Sequence, residues 1–528
     1  MTETKDRKET LKYLGLWLLF SLGYFAFWRI LCCHDSITYD SSYQYFLNCH
    51  SYKGIFELLP KDYSPPLYSL GLKTFSLIFG GSLVSLRMFS ACLMSLLFLT
   101  VLFPLRRLLG KETAVLSAIL LFTSSYNLFF GVEIRPTVLA YVISTATIIY
   151  AGLVFFEEKK SDLIIFTILA LGSMYTHNVS LIFAFCIYGV CIIASLVKKD
   201  KKLFLKFLIS GITVAILYIP WLFVLLGQFG NVVDYFWRDT DSLMFGFYIA
   251  FVGFMENKLP SVVSYIILLA IVLIPFINIF LLIDTKKLKT AGSITELISK
   301  KDVREKWPNL KRVLFIVGIP VVSMIFFYVV TVTAVPIFAV RYLYIFAGSG
   351  TIAVASLFCL CKGKKVPAIV IAVLMTAVFV SNFVTEKKFL DTTTKDEFVE
   401  DIMADSGNDP VFIHFDEQSL GVISYTFPDS RHYVCDKTDS VLQTFDVFTT
   451  DIRYLHKADE IWNETDVVYI FNAVNFEAYS TLDPVEYYMY YFDDKDITIE
   501  EVGRYHLPYA DEIGYNYGEN IVFRVTRK

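Results

Sequence analysis

The sequence predicts a polytopic α-helical membrane protein with a mixed α/β domain at its carboxyl end. The 528 residues are 55% hydrophobic and their mean hydropathy is +0.54, so the chain is more apolar than soluble globular proteins. Its apolar residues fall in runs of roughly 20, the length that crosses about 30 Å of hydrocarbon. From about residue 384 these runs stop, and a segment rich in Asp, Glu and Tyr follows.

Eleven membrane spans are predicted, and the first is a retained helix because no small-residue cleavage site follows it. With this count, every loop rich in Lys or Arg falls on the same side of the membrane. The positive-inside rule makes that side cytoplasmic, which places the amino terminus in the cytoplasm and the tail outside it, with the protein in the cell membrane. The predicted spans lie near residues 11–32, 85–105, 113–131, 136–155, 162–177, 179–197, 203–226, 261–284, 312–332, 342–361 and 366–383.

Two domains are expected, a membrane domain over residues 1–383 that includes a first outer loop at 33–84, and an extracytoplasmic domain over 384–528. The tail is long enough for its own core. Within it, "DPVFIHF" and "DVVYIFN" are short β-branched and aromatic runs typical of buried strands. "TKDEFVEDIMADSG" has the pattern of an amphipathic helix.

Several classes of partner are excluded by what the sequence lacks. It has no basic stripe of the kind that binds nucleic acid. The nine cysteines show no zinc or disulfide spacing, and no Gly-rich loop suits a phosphate cradle. We therefore expect no metal and no cofactor, and the lipid bilayer is the first predicted partner.

The first outer loop carries the most unusual residues, namely Asp35, Asp40, Asp62 and a Pro-Pro pair. Two interpretations of Asp40 are open. It caps or solvates a loop helix, or it is a general base at the membrane surface. On a helix of 3.6 residues per turn, Asp35 and Asp40 point about 140° apart, so they do not form a carboxylate pair.

This loop resembles the first outer loop of lipid-dependent membrane glycosyltransferases of the GT-C type. The closest resemblance is to bacterial glycosyltransferase family 39, which includes the protein mannosyltransferases and the aminoarabinose transferases. Asp40 falls on the first residue of that family's Asp-Glu pair. Further matches are the Pro-Pro-Leu-Tyr element at residues 65–68 and the helix start at Leu86, Arg87 and Ser90.

Three more elements match the family further along the chain. They are a Glu-x-Arg turn at Glu133 and Arg135, a Thr-His element at Thr176 and His177, and an Arg-Tyr element at Arg341 and Tyr342. In order and spacing, the resemblance covers about residues 10–380. The chain departs from the family at Ser41, Ser64 and Thr137, where the family has Glu, His and Tyr.

The resemblance implies transfer of a sugar from a polyprenyl-phosphate-linked donor to an acceptor on the outer face of the membrane. The acceptor, a protein, a lipid or a cell-envelope glycan, is not identified. Asp40 would be the general base of an inverting displacement. Arg135 and Arg341, and with less support Arg87, would bind the donor phosphate, because the planar guanidinium pairs with two phosphate oxygens. For each Arg, a paired or interfacial role without substrate remains open, and Arg87 has a helix-packing alternative.

The remaining candidates are predicted to lie near the substrate: Asp35, Asp62, Glu133, His177, Tyr342, Trp237 and Arg238. Some have simpler explanations. His177 suits a hydrogen-bonded interfacial histidine, Trp237 suits the aromatic belt of a membrane protein, and Asp62 suits the cap of the helix after the Pro-Pro pair.

Two rival functions remain open. The first is a transporter or lipid flippase, although the internal repeats and mid-span charges common in transporters are not evident. The second is a catalytically silent family member, suggested by Ser41 in place of the family's Glu. Consumption of a lipid-linked sugar separates these alternatives from an active transferase.

Overall fold

The computed structural model describes residues 2–31, 36–61, 64–129, 131, 133–235, 242–253, 262, 269, 273, 301–334, 337–360, 365–435, 447–448, 452–472, 483–493, 496–507 and 519–528. By contacts the chain forms two compact units. The helical unit comprises Met1–Ile30, Tyr63–Tyr68 and Met88–Thr385, and the sheet unit comprises Leu31–Asp62, Ser69–Arg87 and Glu386–Lys528. Most of the loop at 33–84, assigned to the membrane domain from sequence, therefore groups with the tail.

The described helices follow one another along most of the chain. In chain order they are α1 Thr2–Leu31, α2 Tyr39–Cys49, α3 Tyr52–Leu58, α4 Leu67–Phe79, α5 Leu83–Thr100, α6 Arg106–Leu109, α7 Lys111–Phe122, α8 Ser125–Phe129, α9 Pro136–Glu157, α10 Lys160–Met174, α11 Asn178–Val197, α12 Lys201–Tyr235, α13 Leu243–Phe251, α14 Lys301–Thr333, α15 Val340–Leu360, α16 Lys365–Leu390, α17 Lys395–Asp405, α18 Glu417–Thr426 and α19 Pro484–Met489. A π-helical turn, Val101–Leu105, joins α5 to α6, and a 3₁₀ helix covers Ala458–Asn463.

Eight described helices are long and apolar enough to cross a membrane, which confirms the polytopic helical fold and makes the chain an integral membrane protein. They match eight of the eleven predicted spans. The eight segments are Arg7–Leu31, Leu83–Leu109, Pro136–Glu157, Asn178–Val197, Lys201–Gln228, Asn309–Thr333, Arg341–Leu360 and Lys365–Lys388.

The other three predicted spans have different outcomes. The run at 113–131 forms two short helices, α7 and α8, because polar residues 123–125 interrupt the helix after Phe122. The run at 162–177 is α10, whose 15 residues extend about 22 Å. The span at 261–284 lies outside the described residues, apart from three single positions.

Asn127 in α8 connects several helices within the helical unit. Its Oδ1 accepts a hydrogen bond from the Tyr344 hydroxyl of α15 at 2.9 Å, and its carbonyl oxygen lies 3.2 Å from the Tyr24 hydroxyl of α1. The rings of Tyr344 and Tyr141, which is on α9, stack with centroids 4.4 Å apart. Asn127 is 1% exposed. Such a buried polar residue fixes the register of the helices that it joins.

The sheet unit contains one six-stranded mixed sheet in the order β3-β2-β1-β4-β6-β5. β1, β2, β3 and β4 pair in parallel, whereas β6 pairs antiparallel with both β4 and β5. β1 and β4 are the two strands predicted from sequence, and α17 is the predicted amphipathic helix. The strands are β1 Val411–His414, β2 Arg431–Cys435, β3 Ile452–Leu455, β4 Val467–Asn472, β5 Ile497–His506 and β6 Glu519–Arg527.

Helices cover both faces of this sheet, because successive strand residues point to opposite sides. On one face, α17 and α18 pack against Phe412 and Tyr469. On the other face, the 3₁₀ helix and α19 pack against Val411, Ile413 and Val468. The helix that follows β1 and the helix that follows β4 therefore lie on opposite faces.

Within the sheet unit, α2 lies between α4 and α18. On the α4 side, the Ser69 hydroxyl donates to Gln44 Oε1 at 3.2 Å. On the α18 side, the rings of Tyr45 and Tyr425 meet edge to face at 5.0 Å. A Cβ atom at Gly421 would overlap Ser42 Oγ and would lie 3.1 Å from Tyr39 Cδ2. Glycine at 421 therefore permits the close approach of α2 and α18.

We expect Gly421→Val to push α2 away from α18 and to destabilise the sheet unit by about 1–3 kcal/mol, the usual cost of overpacking. Hydrogen exchange across α2 and α18 measures the change in the full-length protein. The matched control is Gly81→Val, because a Cβ at Gly81 meets nothing within 4 Å. Unchanged exchange in both helices of the Gly421 variant would show that the contact does not hold α2.

Candidate active site

Asp40 lies in the first turn of α2, and its side chain is half-buried. The helix is capped by Thr38, whose Oγ1 accepts from the Ser41 amide at 3.4 Å. The side-chain N-cap of α2 is therefore Thr38 and not Asp40, which weakens the capping interpretation of the aspartate. Ser41 and Ser42 are completely buried, so the turn that carries Asp40 is packed tightly on its inner side.

Arg87, in the second turn of α5, is 4% exposed, and its Nη2 donates to the carbonyl oxygen of Ser36 at 2.6 Å. Ser36 lies shortly before α2. The arginine therefore fixes the backbone segment that leads to Asp40. This contact supports the packing interpretation of Arg87.

Three predicted residues of the helical unit come together at the starts of α11 and α15. Arg341 Nη2 lies 3.3 Å from the Tyr342 hydroxyl, and the guanidinium lies 5.1 Å from the centre of the same ring. The His177 ring lies 5.4 Å from the Tyr342 ring. His177 also caps α11, because its Nδ1 accepts from the Val179 amide at 3.1 Å. We call Arg341, Tyr342 and His177 the arginine cluster.

Three further motif elements meet elsewhere in the helical unit. Tyr68, from the Pro-Pro-Leu-Tyr element, is completely buried beside Phe89, with ring centroids 5.7 Å apart. The Ser90 hydroxyl donates to the carbonyl oxygen of Glu133 at 2.7 Å. Burial raises the pKa of the Tyr68 phenol, which therefore stays neutral. Arg135 is 7% exposed at the start of α9.

The Thr-His element is tied to the same region through the backbone. The Leu67 amide donates to the carbonyl oxygen of Tyr175 at 2.9 Å, immediately before Thr176. Elements that are far apart in sequence therefore converge within one unit. Their order along the chain did not reveal these contacts.

Four predicted site residues, Asp35, Asp62, Trp237 and Arg238, lie outside the described residues. Among the residues that the structure describes, no group of three or more His, Cys, Asp or Glu side chains is arranged to hold a metal ion.

A series of buried hydrogen bonds in the tail, centred on two histidines, was not predicted from sequence. His414 Nδ1 lies 2.9 Å from Ser419 Oγ, and its Nε2 lies 3.1 Å from His432 Nδ1. His432 Nε2 in turn lies 2.9 Å from the carbonyl oxygen of Phe427. Burial, with the nearby His432, holds the pKa of His414 well below its usual value. All four ring nitrogens of the two histidines lie within hydrogen-bond distance of a partner, so these contacts join β1, β2 and α18.

The fold is that of membrane glycosyltransferases of the GT-C type. ArnT from Cupriavidus metallidurans superposes with a TM-score of 0.61 in its apo state, at 9% identity over 97% of this chain and 98% of that chain. The structure of ArnT bound to undecaprenyl phosphate superposes with a TM-score of 0.60, at 10% identity over 97% of this chain and 98% of that chain. Arabinofuranosyltransferase AftD from Mycobacteria superposes with a TM-score of 0.52, at 11% identity over 97% of this chain and 40% of the AftD chain.

Residues 63–223 match the family model described as dolichyl-phosphate-mannose-protein mannosyltransferase. This match and the fold confirm the resemblance to family 39 that the motifs indicated. The comparison with curated protein sequences finds no match.

Proposed function

We propose that the chain transfers a sugar from a polyprenyl-phosphate-linked donor to an acceptor on the outer face of the membrane. The observation that supports this most strongly is the likeness over 97% of the chain to ArnT, a protein whose structure with bound undecaprenyl phosphate has been solved. The family match over residues 63–223 points to the same chemistry, because that family is described by its lipid-phosphate sugar donor.

The proposed reaction is a single displacement at the anomeric carbon. An acceptor hydroxyl attacks that carbon, Asp40 takes the hydroxyl proton, and the bond from the carbon to the phosphate oxygen breaks. The polyprenyl phosphate leaves with the bonding electrons, and the anomeric configuration is inverted. A positioned carboxylate is sufficient for the proton transfer, and the half-buried place of Asp40 in the first turn of α2 is compatible with this role.

Arg341 and Arg135 are proposed to bind the donor phosphate. The leaving phosphate gathers negative charge, which fixed cations in a site that excludes water stabilise strongly. The arginine cluster supports this role, since the contacts to Tyr342 hold the Arg341 guanidinium in place. Arg135 is nearly buried, so its side chain also has little freedom to move.

Ser41 does not by itself argue for a silent protein. It is fully buried, and its amide hydrogen bonds to the Thr38 cap, so the helix start is ordered without the family's Glu. Incubating the purified protein with labelled polyprenyl-phosphate sugars tests the function. Transfer to an acceptor supports the proposal, donor movement across the bilayer without cleavage indicates a flippase, and no change in the donor indicates a silent protein.

We also propose that the sheet unit is extracytoplasmic. Cysteines introduced at Lys53 and Lys457, whose side chains are 85% and 69% exposed, should react with an impermeant thiol reagent in intact cells after removal of the native cysteines. The control is a cysteine at Lys159, which is 56% exposed between α9 and α10 and should react only after lysis. The reverse pattern would contradict the proposed orientation.

A further inference from the structure

The sheet of the tail contains a topological switch point between β1 and β4. These strands are adjacent and parallel. The chain continues from β1 into α18 on one face, and the next described helix after β4 is α19, on the other face. In open α/β sheets, ligands bind outside the carboxyl ends of the strands at such a point. We call this region, at His414 and Asn472, the switch-point edge.

Aromatic side chains form one wall of the switch-point edge. Phe415, directly after β1, lies 4.3 Å from the Tyr491 ring, measured between centroids. The hydroxyls of Tyr491 and Tyr487 lie 2.7 Å apart. All three side chains are half-buried, so their rings pack on the core and retain an accessible part.

Polar groups accompany this wall. Asn472 ends β4, and its Oδ1 accepts from the Tyr488 hydroxyl at 3.0 Å. Asn472 is 4% exposed, and among the described residues nothing accepts a hydrogen bond from its Nδ2. Asp416 caps α18 and lies close enough to Tyr488 to interact with it electrostatically. An amide donor, a carboxylate acceptor and tyrosine hydroxyls therefore surround the aromatic rings.

This combination suits a saccharide better than an apolar ligand. Binding sites typically pair aromatic walls with a few placed polar groups. A sugar ring offers a C–H face that packs on an aromatic ring, and hydroxyls that both donate and accept hydrogen bonds. Carboxylates accept and amides do both, so the groups at the switch-point edge match those hydroxyls. A purely apolar chain would leave Asn472 Nδ2 without a partner.

Asp40 and the switch-point edge both belong to the sheet unit, in which α18 packs between α2 and one face of the sheet. Along their contact, α2 and α18 run in the same direction, because Tyr39 and Ser42 meet Gly421 while Tyr45 meets Tyr425. Gly421 is five residues after the Asp416 cap, a distance of about 7.5 Å along the helix. Asp40 follows Tyr39 directly, so it lies beside the middle of α18, whereas the aromatic wall packs on the opposite face of the sheet, with α19.

We propose that the switch-point edge binds the carbohydrate part of the acceptor. This inference rests on the proposed function and assigns the acceptor a chemical class, a glycan or glycolipid headgroup. It also gives the tail a role, that of selecting the acceptor.

The test uses the full-length protein in lipid nanodiscs, since glycoside detergents would compete for the site. The protein is applied to an array of defined oligosaccharides, and the saccharides that bind are then titrated. We expect binding of at least one saccharide, with affinity reduced about tenfold or more by Tyr491→Ala, the size of effect typical of a central aromatic contact. Asp416→Asn should also weaken binding while it preserves the α18 cap, because Asn is an equally good cap.

The matched control is Tyr454→Ala on β3, which removes a 47% exposed tyrosine at the far edge of the same sheet and should leave affinity unchanged. Hydrogen exchange of β1 and α18 verifies that each variant is folded. Absence of binding to any saccharide, or equal affinity in the wild type and the folded Asp416→Asn and Tyr491→Ala variants, would overturn the proposal. Binding of peptides in place of saccharides would do the same.

Donor consumption is measured on the same preparation, which separates this inference from the proposed function. Donor cleavage without saccharide binding contradicts the acceptor site alone. Saccharide binding without any donor cleavage contradicts the transferase function and leaves a carbohydrate-binding tail.

Discussion

Replacing Asp40 by Asn is expected to reduce the rate of sugar transfer about 10²–10⁴-fold, the usual effect of removing a general base. Asn has nearly the same shape but cannot take the proton. The α2 cap is Thr38, so the substitution should leave the start of the helix intact. Initial rates with saturating donor measure the loss, and binding of the donor to the variant should stay close to that of the wild type.

Asp409→Asn is the matched control for this experiment, since Asp409 is 72% exposed on the tail surface, where it pairs with Arg431. Its transfer rate should equal that of the wild type. Near-normal turnover of the Asp40 variant would place the base elsewhere, and Asp35 would then be the first residue to test.

Replacing Arg341 by Lys is expected to slow transfer roughly 10²-fold, by analogy with the loss of one charge-stabilising donor. Lys keeps the charge but is a point charge on a flexible stem, without the planar fork that pairs with two phosphate oxygens. The substitution also removes the contact between the Arg341 guanidinium and the Tyr342 ring. Arg135→Lys should have an effect in the same direction.

The kinetic constants show when the phosphate contact forms. If it exists in the ground state, donor affinity falls, and if it forms mainly in the transition state, only turnover falls. Arg431→Lys on the tail surface is the control for the substitution itself. Arg341 and Arg135 variants that retain both donor affinity and turnover would mean that these residues serve only to anchor helices.

The fold class was predictable because its signals are local. Run length and composition revealed eight of the membrane-spanning helices, and short β-branched runs revealed β1 and β4. From its length, the run at 113–131 was predicted to be one membrane-spanning helix. In the structure, polar residues after Phe122 divide it into two helices. A hydropathy pattern does not report such a break inside an apolar segment.

The contacts of the candidate site were less predictable. The motifs named His177 and Tyr342 separately, but only the folded chain places their rings 5.4 Å apart. The packing of α2 on the tail joins Tyr45 to Tyr425, a contact between residues far apart in sequence. Gly421 gave no signal of its own, because its role depends on a neighbour brought there by the fold.

The central claim is cleavage of a polyprenyl-phosphate sugar with transfer of the sugar. The most direct test quantifies, for the purified protein with labelled donor and a membrane extract as acceptor source, both the polyprenyl phosphate released and the sugar attached to product. We predict equal molar amounts of the two, and almost none of either with Asp40→Asn. A donor that remains intact, or that crosses the bilayer without releasing polyprenyl phosphate, would contradict the account.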